Sequence, residues 1–123
     1  MRFASVLALA VLVAPVAAYA HPKLVAATPA ANATTAPTAR LQLVFSERLV
    51  QQFSGADVVM TGMPGMKMHG PMRMPGQASL AEDGRTLVVT FAKPLPKGSY
   101  RVDWHVVSAD THRVQGNYTF QVQ

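Results

Sequence analysis

The sequence contains no cysteine. Without disulfides, an exported domain of this chain must be held together by its apolar core alone. The absence also limits metal chemistry, because paired thiols in an oxidising compartment become disulfides. A lasting site for a soft metal ion in such a compartment is therefore better built from methionine thioethers.

Clustered charge and interleaved aromatics are lacking too. Aromatic residues make up 7% of the chain and charged residues 14%. Without Arg2, 10 of the 11 basic residues remain against 6 acidic ones, a scattered net charge of +4. A nucleic-acid surface would need basic clusters with aromatics among them, so no nucleic-acid partner is expected. The mild charge predicts solubility and weak steering toward an anionic membrane face.

Residues 1–20 have the layout of a cleaved signal peptide. Arg2 precedes the apolar run Phe3 to Ala17, and Ala18-Tyr19-Ala20 is a small-x-small cleavage site. The run spans about 15 residues and includes Pro15, whereas a spanning helix needs roughly 20. We expect a single domain, residues 21–123, that is exported, not embedded in a membrane, and begins at His21.

Period-2 alternation dominates the rest of the chain. Strands are predicted at 40–47, 86–91, 99–108 and 114–122, separated by Gly- and Pro-containing turns. No amphipathic helix is evident. Seven or so short strands in about 100 residues predict an all-β fold, an antiparallel sandwich or small barrel.

The run MTGMPGMKMHGPMRM, residues 60–74, holds six of the seven methionines. Its prolines and glycines predict a loop without regular strand or helix, so the methionines have no element on which to form a core stripe. Thioethers on a flexible loop favour Cu(I). A Met-rich surface for a protein partner and plain packing remain as alternatives. The candidate Cu(I) ligands are Met60, Met63, Met66, Met68, His69, Met72 and Met74, with Met60 and Met74 at the margins.

Cleavage would give His21 a free α-amine, which together with its imidazole can chelate one metal ion. Asp110 and His112 form an Asp-x-His motif whose side chains project to one side if the backbone is extended. Nitrogen-rich tetragonal sites favour Cu(II), so these three residues are candidate Cu(II) ligands. The alternative for Asp110 is turn chemistry, with its carboxylate accepting from a backbone amide. His105 is expected to be a surface histidine.

With these residues in place, the sequence resembles the CopC-type periplasmic copper-resistance proteins. The matching segments are HPKLVAATPA, FSERLVQQFSGADVVMTGMPGM and YRVDWHVVSADTHRVQGNYTFQV. The resemblance implies a Greek-key β-barrel or sandwich, cupredoxin-like or immunoglobulin-like, with about seven to nine strands. It also implies separate sites for Cu(II), at His21, Asp110 and His112, and for Cu(I), in the methionine run.

This chain departs from the family pattern at Met66-Lys67-Met68-His69, where one residue is inserted. Met68 and Met74 are additional sulfurs, so the Cu(I) ligand subset stays open. Glu47 is a further acidic residue, which we expect at most to orient a histidine ligand.

The function implied is carriage and buffering of copper in the periplasm, not catalysis. The resemblance suggests a monomer that exchanges copper with an inner-membrane copper transporter and a periplasmic multicopper oxidase. The main alternative is a copper monooxygenase-like enzyme built on an N-terminal histidine. A structural interaction domain that uses the methionines as a binding patch is a third possibility.

Overall fold

A computed structural model describes residues 10–11, 21–66 and 69–123. Nearly all of the expected signal peptide, together with Lys67 and Met68, lies outside these ranges. Regular structure here consists of nine strands: β1 Leu24–Thr28, β2 Thr34–Thr35, β3 Arg40–Phe45, β4 Gly55–Gly62, β5 Met72–Met74, β6 Gln77–Leu80, β7 Thr86–Thr90, β8 Gly98–Val107 and β9 Arg113–Val122.

The strands form two sheets, ordered β1-β3-β7-β6 and β2-β9-β8-β4-β5. Every pairing is antiparallel except that of β2 with β9. Helical structure in the described ranges is limited to the 3-10 turn Gln51–Phe53, and none of it is long and apolar enough to cross a membrane. The predicted all-β sandwich of seven to nine strands is confirmed.

The core lies between the two sheets, as the alternation in the sequence requires. Along β8, Tyr100, Val102, Trp104 and Val106 are buried, while the residues between them face outward. Phe45 of the opposite sheet meets the Trp104 ring edge-on, with ring centroids 5.1 Å apart. Each large apolar side chain buried in this way stabilises the fold by about 1.5–3 kcal/mol relative to exposure.

The methionine run is not wholly irregular, contrary to the sequence prediction. Met60 lies within β4, and Met72–Met74 form β5, which pairs with β4 through Met72 opposite Met60 and Met74 opposite Val58. Pro71 and Pro75 flank β5 without belonging to it. Because β5 is an edge strand with one neighbour, these prolines interrupt no ladder hydrogen bond.

Strand directions place the functional candidates at opposite ends of the sandwich. β4 runs away from residues 21–23 and from the β8–β9 loop toward the methionine loop, and β8 returns. We call the end formed by residues 21–23, 46–54, 81–85 and 108–113 the histidine end. The end formed by residues 29–40, 62–71 and 91–97 is the methionine end.

Candidate metal centres

Ser108 organises the β8–β9 loop, residues 108–112. Its backbone N–H donates to the carbonyl of His112 at 2.9 Å, and its carbonyl accepts from the N–H of Thr111 at 2.8 Å. The side chain is 1% exposed, and its hydroxyl donates to Oδ1 of Asp110. Since a buried hydroxyl needs a partner, this bond fixes the orientation of the Asp110 carboxylate.

The Asp-x-His motif is a tight turn rather than the extended segment predicted from sequence. Thr111 between the two residues has φ of 76°, in the left-handed region. A β-branched residue there costs about 1–3 kcal/mol of backbone strain, which the hydrogen bonds of the loop offset. Asp110 therefore takes part in a turn, and its carboxylate still faces His112; its role as a metal ligand stays a prediction.

Asp110 and His112 are in direct contact. Nδ1 of His112 lies 3.0 Å from Oδ2 of Asp110. The hydrogen bond from Ser108, followed by that from His112, lowers the pKa of Asp110 to about 2. The carboxylate is thus anionic at any physiological pH, as a metal ligand requires.

His21 is held beside this pair by the start of β1. The Lys23 N–H donates to Oγ of Ser46 at 2.9 Å, and the Ser46 N–H donates to the Lys23 carbonyl at 2.9 Å. The imidazole rings of His21 and His112 meet edge-on, with centroids 4.8 Å apart. Across the described ranges, no three His, Asp or Glu side chains already form a group that could hold a metal ion.

Glu47 is half-buried and lies at the same end. It follows Ser46, the residue that anchors Lys23, and precedes Arg48, whose carbonyl accepts from the Ala109 N–H at 2.9 Å. The segment carrying Glu47 is therefore tied both to the N-terminal strand and to the β8–β9 loop. Its role in orienting a histidine stays a prediction.

A β-turn brings two methionines together at the other end. The Met66 N–H donates to the Met63 carbonyl at 3.2 Å, and Gly65 has φ of 70°. Proline at the second position and a left-handed glycine at the third are typical of a type II turn. The M-P-G-M sequence thus makes Met63 and Met66 neighbours, and the two residues also form a β-bridge.

The other sulfurs differ in accessibility. Met66 is 65% exposed and Met72 54% exposed, Met63 and Met74 are half-buried against the core, and His69 is exposed. Met60 is 1% exposed and belongs to the core. Met60 as a Cu(I) ligand is therefore at odds with this conformation, since the inward face of β4 buries its thioether. Met68 lies outside the described residues.

Sequence reasoning missed Ser108 and the role of the M-P-G-M turn. Ser108 reads in sequence as an ordinary loop serine, and only its burial and its bond to Asp110 reveal a positioning role. The Pro64-Gly65 pair is a recognised turn signal. His105 is half-buried on the outer face of β8, where it packs against Gly55.

Comparison with known proteins identifies the family. The CopC domain model matches residues 24–123. The chain belongs to the CopC family. It is 52% identical over 106 residues to copper resistance protein C of Pseudomonas syringae pv. tomato, covering 86% of this chain and 83% of the relative. The corresponding protein of Escherichia coli is 46% identical over 106 residues, covering 86% and 84%.

The solved structures agree with this assignment. The crystal structure of PcoC, a methionine-rich copper resistance protein from Escherichia coli, superposes with a TM-score of 0.77 at 44% identity, covering 85% of this chain and 100% of PcoC. The two-sheet architecture is therefore that of the CopC family.

Proposed function

We propose that this CopC-family chain is a periplasmic copper carrier and buffer for copper resistance, with a Cu(II) site at the histidine end and a Cu(I) site at the methionine end. The observation that carries the proposal is the separation of two donor sets. Imidazole and carboxylate groups lie at one end, and exposed thioethers lie at or near the other. Nitrogen and oxygen donors suit Cu(II), and thioethers suit Cu(I).

The Cu(II) ligands are His21, Asp110 and His112, with the α-amine of His21 once the signal peptide is removed. The 3.0 Å between Nδ1 of His112 and Oδ2 of Asp110 supports this set. Two ligands about 2.0 Å from a metal and 90° apart lie about 2.8 Å from each other. The two atoms thus lie close to the spacing of adjacent ligands of a tetragonal ion, which would displace the proton of the hydrogen bond between them.

The Cu(I) ligands are drawn from Met63, Met66 and Met72, with His69 as a further donor. The turn holds Met63 and Met66 together, which supports both as ligands. Met66 and Met72 are exposed, so a metal ion can reach their thioethers. Met74 is half-buried and a weaker candidate, while Met60 would have to leave the core. Met68 is a further candidate ligand that rests on the sequence alone.

The chemistry is binding and exchange, and no step of it is catalytic. Copper that changes oxidation state changes its preferred donors, so it would move between ends or between molecules. Exchange with an inner-membrane copper transporter and a multicopper oxidase fits this scheme, and each site could serve a different partner.

Separate titrations with Cu(II) and with Cu(I) test the proposal. Protein comprising residues 21–123 is titrated with Cu(II) in air, and with Cu(I) under anaerobic conditions against a competing chelator. One equivalent of each ion is expected, and each should bind when the other site is full. Competition between the two ions for a single site would contradict the proposal.

The enzyme alternative has one feature in its favour, the proximity of the His21 and His112 rings. It is tested by incubating the copper-loaded protein with a reductant and polysaccharide. We expect no oxidised oligosaccharides. Their release, and its loss in a His112→Ala variant, would replace the carrier proposal with a monooxygenase.

A further inference from the structure

Acidic side chains are confined to one half of this molecule. The six acidic residues lie at the histidine end or on the adjoining half of the five-stranded sheet: Glu47, Asp57, Glu82, Asp83, Asp103 and Asp110. Residues 58–81 and 84–102, which supply most of the methionine end, contain none. The segment 21–46 contains none either.

Basic residues are not confined in this way. Arg40, Lys93 and Lys97 are exposed at the methionine end. No ion pair joins any of the three to an acidic side chain in the described part of the chain. Arg73 and Arg101, farther along the sheet, are instead paired with Asp57 and Asp103.

One of these cations, Lys97, lies next to the methionine loop. Gly98, directly after Lys97, packs so closely on β4 that a Cβ there would come within 2.6 Å of the Gly62 carbonyl oxygen. Gly62 and Gly98 line a cavity there together with Met63 and Pro64. The methionine loop therefore has Lys97 beside it, and Arg40, Lys93 and Lys97 form no ion pair with an acidic side chain among the described residues.

We propose that the methionine end is a docking surface for a protein that presents soft donors within an acidic surface. The inference rests on the proposed Cu(I) site and names the kind of partner that exchanges copper with it. Charge complementarity steers such encounters and raises association rates by about 10- to 1,000-fold. A lipid headgroup offers charge but no soft donor, so the observations favour a protein.

The test uses two synthetic peptides as probes. Both carry three methionines and a fluorophore, one with aspartates between the methionines and the other with asparagines. Their binding to Cu(I)-loaded and to metal-free protein, residues 21–123, is followed by fluorescence anisotropy. The aspartate peptide should bind at least about tenfold more tightly at low salt, and the preference should fade as ionic strength rises.

Charge-reversal variants locate the surface. Lys93→Glu with Lys97→Glu should abolish the preference, whereas the matched pair Lys23→Glu with Arg113→Glu, at the histidine end, should keep it. Both pairs change the net charge equally. If the first pair fails to fold, Lys93→Gln with Lys97→Gln replaces it and should weaken the preference.

Two results would overturn the docking proposal. One is equal binding of the peptides, or equal loss in both charge-reversal pairs. The other is tight binding to phosphatidylglycerol vesicles that Lys93→Glu with Lys97→Glu removes, which would make the end a membrane surface. Failure of Cu(I) uptake, measured first, would instead refute the Cu(I) site, and the metal-free arm still tests the charge preference.

Discussion

The two ends of the sandwich differ in charge and in the elements that carry their candidate ligands. The histidine end has four basic residues (Lys23, Arg48, Arg85, Arg113) and four acidic ones (Glu47, Glu82, Asp83, Asp110), and its candidate ligands are held by a hydrogen-bonded loop. The described part of the methionine end has exposed basic residues and no acidic side chain, and its candidate ligands lie on a turn and an edge strand. Under the proposed function, Cu(II) would meet nitrogen and oxygen donors on the hydrogen-bonded loop, and soft Cu(I) would meet accessible thioethers.

The largest expected effect concerns the histidine end. One glycine inserted before His21 should weaken Cu(II) binding by about 100-fold or more, because the amine and imidazole can no longer chelate together. That exceeds the 10- to 100-fold typical of losing a residue that merely orients a ligand. Cu(I) binding, measured by chelator competition, should be unchanged.

The corresponding experiment at the methionine end replaces one exposed methionine. Met66→Leu keeps the volume of the side chain and removes its sulfur, so Cu(I) affinity should fall by about tenfold or more. Met60→Leu is the matched control, because Met60 is in the core, and it should leave Cu(I) affinity nearly unaltered. A larger loss for Met60→Leu would place the Met60 thioether in the site.

A smaller effect is expected at Ser108. Ser108→Ala removes the hydroxyl that orients Asp110, so Cu(II) affinity should fall by about tenfold. The electron paramagnetic resonance spectrum of the bound Cu(II) should shift as well, which a purely structural role would not produce. Ser79→Ala, on exposed β6, is the control and should change neither quantity.

The smallest effect concerns acid stability. Asp83 accepts hydrogen bonds from the N–H groups of Arg85 and Thr86 and from the Thr86 hydroxyl, all in the β6–β7 turn. These bonds, led by that from Arg85, lower the pKa of Asp83 below its usual 3.8. The stabilisation is present above pH 3.8 and is lost as the pH falls through the lowered value.

Asp83→Asn should therefore lower the thermal midpoint at pH 7 and lose less further stability on acidification than the parent chain. Thermal unfolding of the metal-free protein between pH 7 and pH 2 measures both quantities. Parallel curves for the two proteins would show that Asp83 does not contribute in this way.

The sequence predicted the strands well because alternation is a local signal. Four strands were expected at 40–47, 86–91, 99–108 and 114–122, and the structure differs from these by only one or two residues at their ends. Trp104 and Tyr100 were expected to share an inward face, and both are buried.

Features that depend on strand pairing were not predictable in the same way. β5 has three residues, and only its pairing with β4 makes it a strand. The burial of Met60 and the left-handed turn at Thr111 likewise follow from tertiary contacts. The placement of the two donor sets at opposite ends depends on the order of strands in both sheets, which residue patterns alone do not specify.

The central claim, that each oxidation state of copper has its own end, is tested most directly by nuclear magnetic resonance of the protein spanning residues 21–123. Cu(II) is paramagnetic, and it should broaden the amide signals of residues 21–24, 46–49 and 108–113 while those of residues 62–72 stay sharp. Cu(I) should shift the second group and leave the first in place. Perturbation of the same residues by both ions would contradict the claim.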